Sequence, residues 1–109
     1  MFDLKEKLAE IENDYKKLNK KLSDPEVIGD TNKYQKLLKE HAKIKKIVDK
    51  YKKYKTVLTG IEEAESILAN EQDGDVIELA EMELAELQPK REKLEEELPV
   101  LLLPEDPND

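Results

Sequence analysis

Hydrophobic residues near the start of the chain recur every three or four positions, and charged residues fill the positions between them. The steps are four, three, four, three and four residues, through Leu4, Leu8, Ile11, Tyr15, Leu18 and Leu22. This period places the hydrophobic side chains on one face of an α-helix, in the arrangement of a coiled-coil seam. The pattern predicts a first helix over about residues 2–22.

The sequence LSDPEVIGD then interrupts the pattern. Ser23 or Asp24 can cap the N-terminus of a helix whose first residue is Pro25. Gly29 can end that helix after a single turn. We therefore expect a short one-turn helix between the first and second long helices.

A second, much longer helix is predicted over residues 31–69, with Asp30 or Thr31 as its N-cap. Gly60 within it is unfavourable by about 1 kcal/mol relative to alanine, which the hydrophobic positions on both sides should offset. These positions step by three and four residues through Tyr34, Leu37, His41, Ile44, Val48, Tyr51, Tyr54, Leu58, Ile61, Ala64 and Leu68.

A third long helix is predicted over residues 75–98, after the turn sequence NEQDGD. Its hydrophobic positions are Ile77, Ala80, Leu84, Leu87, Leu94 and Leu98. Pro89 lies inside this pattern and cannot donate a backbone hydrogen bond, so we expect a kink or a brief break near Leu87. Whether the helix continues through Pro89 is left open by the sequence.

These elements predict an all-α fold, an elongated antiparallel three-helix bundle of coiled-coil character with the one-turn helix between its first two members. Short connections make successive helices antiparallel. The bundle would occupy residues 1–98 as one domain. The aliphatic run Val100–Leu103 is expected to pack near Phe2 and Leu4.

Composition narrows the classes of protein that fit this pattern. Charged residues make up 42% of the chain and only three glycines occur, a balance that suits long amphipathic helices better than sheets. The chain has no cysteine, which excludes disulfides and thiolate metal sites. It begins with charged residues rather than a signal sequence, and no apolar segment approaches the ~20 residues of a membrane span. A cytoplasmic protein without a membrane partner is expected.

The net charge of −8 conceals an uneven distribution. Residues 1–58 contain 16 lysines and 10 acidic residues, whereas residues 59–109 contain 3 basic and 17 acidic residues. The stretch KIKKIVDKYKKYK, residues 43–55, is the most basic. Its lysines could neutralise RNA phosphates without reading base sequence. They are Lys43, Lys45, Lys46, Lys50, Lys52, Lys53 and Lys55.

Two other interpretations of this stretch remain open. The lysines could pair with the acidic third helix, or they could simply form a solvated face. Tyr51 and Tyr54 follow the hydrophobic seam, so core packing is favoured for them over stacking on bases.

No constellation of residues typical of an enzyme occurs. His41 is the only histidine and has no cysteine or second histidine to complete a site, so a packed, hydrogen-bonded side chain is expected. Glu95, Glu96 and Glu97 are consecutive on the predicted helix, point to different faces and should be solvated. There is no glycine-rich phosphate loop and no nucleophile motif. The sequence indicates neither an enzyme, nor a cofactor, nor a small-molecule substrate.

Two motifs at opposite ends of the chain carry a family resemblance. LSDPEVI begins at Leu22, and LLLPEDPND closes the chain at residues 101–109. With the long helix and its spaced tyrosines between them, they resemble the N-terminal region of the bacterial peptide chain release factor 1 family, over essentially the whole chain. Two departures are Pro99, where a helix-compatible residue is usual, and Glu105, where the family has a basic residue.

The resemblance implies a noncatalytic docking domain of a class I release factor, which directs translation termination at UAA and UAG. It also implies that residues 99–109 form a joint to a further domain, at which the chain is cut. It implies two partners, the ribosome at the stalk base of the large subunit, through rRNA or ribosomal protein, and the GTPase release factor that recycles class I factors. The GGQ and P-x-T tripeptides, which carry hydrolysis and stop-codon reading in the family, do not occur in this chain.

One alternative comes from a different class of protein. Amphipathic helices with regular seams also build free-standing helical adaptors and coiled-coil oligomers. A reading frame that continues past Asp109 into a GGQ-bearing domain would favour the release factor, and a stop codon there would favour the adaptor.

Overall fold

The computed structural model describes residues 3–103, and this part of the chain is helical, with no β-strand between these positions. The predicted all-α fold is therefore confirmed, including the one-turn helix after the first long helix. The helices are α1 (Leu4–Leu22), α2 (Pro25–Ile28), α3 (Thr31–Asn70) and α4 (Gly74–Leu101).

An aspartate caps the N-terminus of each helix. Asp3 accepts a hydrogen bond from the Glu6 amide in α1, and Asp24 accepts one from the Glu26 amide in α2. Asp30 and Asp73 do the same for α3 and α4, through the amides of Lys33 and Asp75. Each cap satisfies an amide that has no partner within the helix, and its negative charge is favourable at that end of the helix dipole. Where the sequence offered two candidate caps, the aspartate is the residue used.

The chain divides into two compact units, Met1–Tyr51 and Lys52–Asp109, and α3 contributes to both. In the first unit each of the three helices supplies buried aliphatic side chains. These are Leu8 and Leu18 of α1, Val27 of α2 and Val48 of α3. They come from the predicted hydrophobic positions and from the one-turn helix, which thereby covers part of this core.

In the second unit α3 and α4 pack against each other in an antiparallel manner. The Tyr54 hydroxyl reaches Glu95, whereas Gly60, six residues further along α3, faces Leu87, eight residues earlier in α4. Because the residue number rises along α3 while the number of the contacting residue falls along α4, the two helices are antiparallel. The buried hydrophobic residues here are Tyr54, Val57, Ile61, Ala64, Ala80 and Leu98.

Gly60 lies where α3 and α4 approach closely. A Cβ atom added at this position would lie 2.7 Å from the Leu87 Cδ1 atom, closer than carbon atoms pack. The helix therefore keeps a residue that is unfavourable by about 1 kcal/mol relative to alanine, because the missing side chain makes room for Leu87.

Helix α4 is continuous through Pro89, so of the two predicted alternatives near Leu87 the break is wrong, and the kink stays a prediction. Pro89 lacks the amide that would bind the Ala85 carbonyl, but both residues lie on the exposed side of the helix. Water can hydrate that carbonyl, which lowers the cost of the missing bond.

Helix α4 also includes Pro99 and ends at Leu101, three residues beyond the predicted boundary. The amides of Leu102 and Leu103 bind the carbonyls of Pro99 and Val100 three residues back, at 3.2 Å each, and so close the last turn. Pro99 lacks the amide that would donate one backbone hydrogen bond in the final turns. Because only that one bond is lost, the helix extends past it.

The aliphatic run Val100–Leu103 is only partly covered. Leu101 and Leu102 are half-buried, whereas Val100 and Leu103 are largely exposed. Phe2 lies outside the described residues, as do residues 104–109, and the predicted packing of this run on Phe2 and Leu4 stays a prediction. Over residues 3–103, no helix combines the length and the apolar character needed to cross a bilayer.

Candidate functional site

The seven lysines of residues 43–55 all lie on α3. In the first unit, Lys43, Lys46 and Lys50 are spaced by three and four residues, which places them on one face of the helix. Lys43 and Lys46 are exposed, and Lys50 is half-buried. The core residue Val48 projects from a different face, which explains how the same turns of α3 carry both a buried seam and exposed cations.

Lys45 is exposed too but is paired within its own helix. Its Nζ atom lies 3.0 Å from the Asp49 Oδ2 atom, in an i, i+4 ion pair. The hydrogen bond to Asp49 and the charge of that carboxylate raise the pKa of Lys45 above its ordinary value. Lys45 is therefore cationic at neutral pH, but Asp49 offsets part of its charge.

In the second unit, Lys52, Lys53 and Lys55 are all exposed. The side chains of Lys46, Lys52 and Lys53 form no ion pair with any residue between positions 3 and 103, whereas Lys43, Lys50 and Lys55 do take part in interactions. The first three lysines are therefore the cations most available to an external anion.

The two tyrosines of the lysine stretch belong to the packed side of α3. Tyr54 is buried and its hydroxyl donates to the Glu95 Oε1 atom at 3.4 Å, while Tyr51 is half-buried. The preference for core packing over stacking on bases is confirmed for Tyr54. The lysines thus present charge without an exposed aromatic platform beside them.

His41 is a structural residue of the first unit. Its ring stacks on that of Tyr15, with centroids 4.8 Å apart and planes inclined by 26°. Its Nε2 atom lies 2.8 Å from the Asn19 Oδ1 atom and donates a hydrogen bond to it. This confirms the packed, hydrogen-bonded side chain expected from the sequence, and it ties α1 to α3.

The glutamates at the end of α4 are not merely solvated. Glu95 accepts from Tyr54 and lies 3.4 Å from the Arg91 Nε atom, while Glu97 lies 3.9 Å from the Lys93 Nζ atom. The Arg91 Nε atom is buried and has no hydrogen-bond partner in the described part of the chain, so its contact with Glu95 is ionic only. Glu95 and Glu96 are exposed, as expected for a solvated face, and Glu95 also contacts Tyr54 of α3, whereas Glu97 is half-buried.

A surface depression occurs in each of the two units. One of about 450 Å³ lies in the second unit and is lined by Lys55, Thr56, Thr59, Gly60, Glu63, Glu83 and Leu87. The other, of about 200 Å³ in the first unit, is lined by Asp14, Lys17, Leu18, Lys21, Glu40 and Ile44. Between residues 3 and 103 no group of His, Asp and Glu side chains could hold a metal ion.

Comparison with known sequences gives a consistent family. Residues 11–109 match the family described as the PCRF domain. Over 103 residues, or 94% of its length, the chain is 51% identical to peptide chain release factor 1 of Clostridioides difficile. It is 47% identical over its whole length to the protein of that name from Carboxydothermus hydrogenoformans, and 46% identical over 95% of its length to that from Caldicellulosiruptor saccharolyticus.

The chain spans only 29–30% of the length of these relatives. No solved structure matches it. Each sequence identity therefore applies to less than a third of the relative and not to the whole of it.

Proposed function

We propose, from the premise that this chain belongs to the PCRF domain family, that it is the N-terminal domain of a peptide chain release factor and docks that factor on the ribosome. The factor directs translation termination at the stop codons UAA and UAG. The observation that carries this proposal is the 51% identity to a protein named peptide chain release factor 1 over nearly the whole chain. The fragment itself is noncatalytic and acts in the cytoplasm, where translation takes place.

The exposed lysines of α3 support a docking role. Ribosomes present rRNA phosphates, and cations that are not paired within their own protein can replace the counterions of those phosphates. Lys46, Lys52 and Lys53 meet this condition, and Lys43, Lys45, Lys50 and Lys55 add to the local positive charge. The proposed site therefore recognises backbone charge and not base sequence.

The proposed partners are those that the family resemblance implies. The ribosomal partner is the stalk base of the large subunit, through rRNA or ribosomal protein, and the second partner is the GTPase release factor that recycles class I factors. No small-molecule substrate, cofactor or membrane is part of the proposal.

Charge reversal tests the lysine surface. The chain with Lys46, Lys52 and Lys53 changed to glutamate should bind bacterial ribosomes more weakly at low salt than the parent chain. Each lysine that contacts a phosphate contributes about 1 to the slope of log affinity against log salt concentration. The slope should therefore decrease by up to about 3, as measured by co-sedimentation at several salt concentrations.

The matched control reverses three exposed lysines of α1, Lys5, Lys7 and Lys16, and so changes the net charge equally. It should retain most of the parent affinity. Equal loss in both variants would show a general charge effect and contradict a defined lysine surface. A parent chain that forms a stable oligomer and does not bind ribosomes would favour the alternative of a free-standing helical adaptor.

A further inference from the structure

The second unit contains a continuous segment without any positive side chain. From Thr56 to Pro89 there is no lysine, arginine or histidine, but there are ten acidic residues. All ten are exposed: Glu62, Glu63, Glu65, Glu71, Asp73, Asp75, Glu78, Glu81, Glu83 and Glu86. This part of the molecule repels nucleic acid and anionic lipid surfaces, since both carry the same sign of charge.

Within this acidic segment two large apolar side chains face solvent. Leu79 is 66% exposed and Met82 is 62% exposed. They are three residues apart on α4 and therefore adjacent on one face of the helix. Neither was singled out by the hydrophobic pattern, because both lie off the stripe that packs on α3.

Acidic side chains frame this pair on α4. Asp75 precedes Leu79 by one helical turn and Glu86 follows Met82 by one turn, which places both along the line of the pair. Glu78 and Glu83 flank the pair on either side, at four residues before Met82 and four residues after Leu79. Single exposed hydrophobic residues are common on protein surfaces. An adjacent pair with an acidic frame has instead the composition of an interface, an apolar centre with a charged rim.

The charge of the frame selects the class of partner. A protein surface with an apolar contact surrounded by lysine or arginine would bury Leu79 and Met82 and place its cations against the carboxylates. RNA offers anionic phosphates and would be repelled at the same place. The methionine side chain is flexible, so it can pack against a partner surface whose shape does not match it closely.

We propose that Leu79 and Met82, with Asp75, Glu78, Glu83 and Glu86 around them, form a docking surface for a basic protein surface on the ribosome. This inference rests on the proposed function, which brings the chain to the ribosome, and assigns a second contact there. The lysines of α3 meet RNA phosphates, whereas the Leu79–Met82 surface meets protein.

Site-specific photo-crosslinking tests the class of partner. A benzophenone side chain replaces Leu79, and the chain is irradiated in the presence of bacterial ribosomes. The expected product is a protein adduct that survives ribonuclease and is destroyed by protease. The matched control carries the same group at Leu38, an exposed leucine of α3 in the first unit that lies between Lys36 and Lys39. It should not yield that protein adduct.

Affinity gives an independent readout. The variant Leu79→Ser, Met82→Ser should bind ribosomes about tenfold more weakly, which corresponds to about 1.4 kcal/mol at the interface. The control Ile28→Ser, Leu38→Ser removes two exposed apolar side chains from the first unit and should bind like the parent. All four positions are exposed, so both variants should fold. Equal helix content by circular dichroism checks this.

The outcomes separate this inference from the proposed function. An RNA adduct at position 79, a crosslinked dimer of the chain, or unchanged affinity of the serine variant would overturn the protein-docking surface while leaving ribosome binding in place. A parent chain that does not bind ribosomes at all would overturn both. A protein adduct together with the tenfold loss supports the inference.

Discussion

Leu98 and Val100 lie two residues apart near the end of α4, and their surroundings differ completely. Leu98 has an exposed fraction of 0%, whereas Val100 is 63% exposed. Successive positions on a helix point in different directions, so an unbroken aliphatic run cannot be buried along its whole length against one neighbour. The contribution of each residue to stability follows its burial and not its hydrophobicity.

Leu98→Ala should destabilise the chain by about 2–5 kcal/mol, since it removes a fully buried side chain and leaves a cavity. Val100→Ala should change the free energy of unfolding by less than about 0.5 kcal/mol, as is usual at exposed positions. Urea denaturation followed by circular dichroism measures both. Equal effects from the two substitutions would show that the run is covered in solution in a way the structure does not have.

At the scale of the element, α4 carries two prolines without interruption. The hydrophobic positions on either side of Pro89 keep the same face toward α3, and this packing continues across the missing hydrogen bond. Tertiary contact thereby overrides a local helix breaker.

Pro89→Ala should stabilise α4, because alanine restores the hydrogen bond to the Ala85 carbonyl and is favoured over proline by up to about 3 kcal/mol in a helix interior. Pro25→Ala is the matched control. Pro25 occupies the first position of α2, where no intrahelical bond is lost, so its replacement should not stabilise the chain. Thermal unfolding of both variants checks the difference. A lower melting temperature for Pro89→Ala would mean that the proline ring itself makes a needed contact.

At the scale of the whole molecule, the two halves of the chain differ in charge and in the surfaces they present. The basic stretch of α3 offers lysines to anions, and the acidic segment from Thr56 to Pro89 offers Leu79 and Met82 to a basic protein. Binding is the role proposed for both surfaces.

The chain should therefore bind ribosomes without hydrolysing peptidyl-tRNA. Its three glycines are never adjacent, so no GGQ tripeptide can occur. Peptide release from ribosomes with a stop codon in the decoding site should stay at background when the chain is added alone. A full-length relative named peptide chain release factor 1 serves as the positive control. Stop-codon-dependent release by the chain alone would contradict a noncatalytic role.

Helices and their boundaries could be predicted from local patterns. The three-and-four spacing identifies α1, α3 and α4, and the SDPEVIG turn identifies α2. Each of these signals is made by residues that are close together in the sequence. The aspartate caps were also among the candidates. A break at Pro89, one of the two predicted alternatives, does not occur, since the packing that keeps α4 continuous comes from α3, where Gly60 faces Leu87.

The candidate site was predictable only in part. The lysine stretch could be located from charge alone. The exposure of its lysines and the pairing of Lys45 with Asp49 came from the structure. The contact of Glu95 with Tyr54 joins residues 41 positions apart and leaves no local signal. Leu79 and Met82 lie off the predicted stripe of α4, so the helical period already placed them away from α3, and the structure added that both side chains are exposed.

The sequence by itself determined the four helices and the uneven charge along the chain, since the signals that mark each helix lie within a turn or two of one another. The tertiary structure decided that α4 continues through Pro89, that Gly60 makes room for Leu87, and that His41 stacks on Tyr15. These features depend on which helix faces lie together. That choice is fixed by the burial of apolar surface across the whole unit and not by any single stretch of residues.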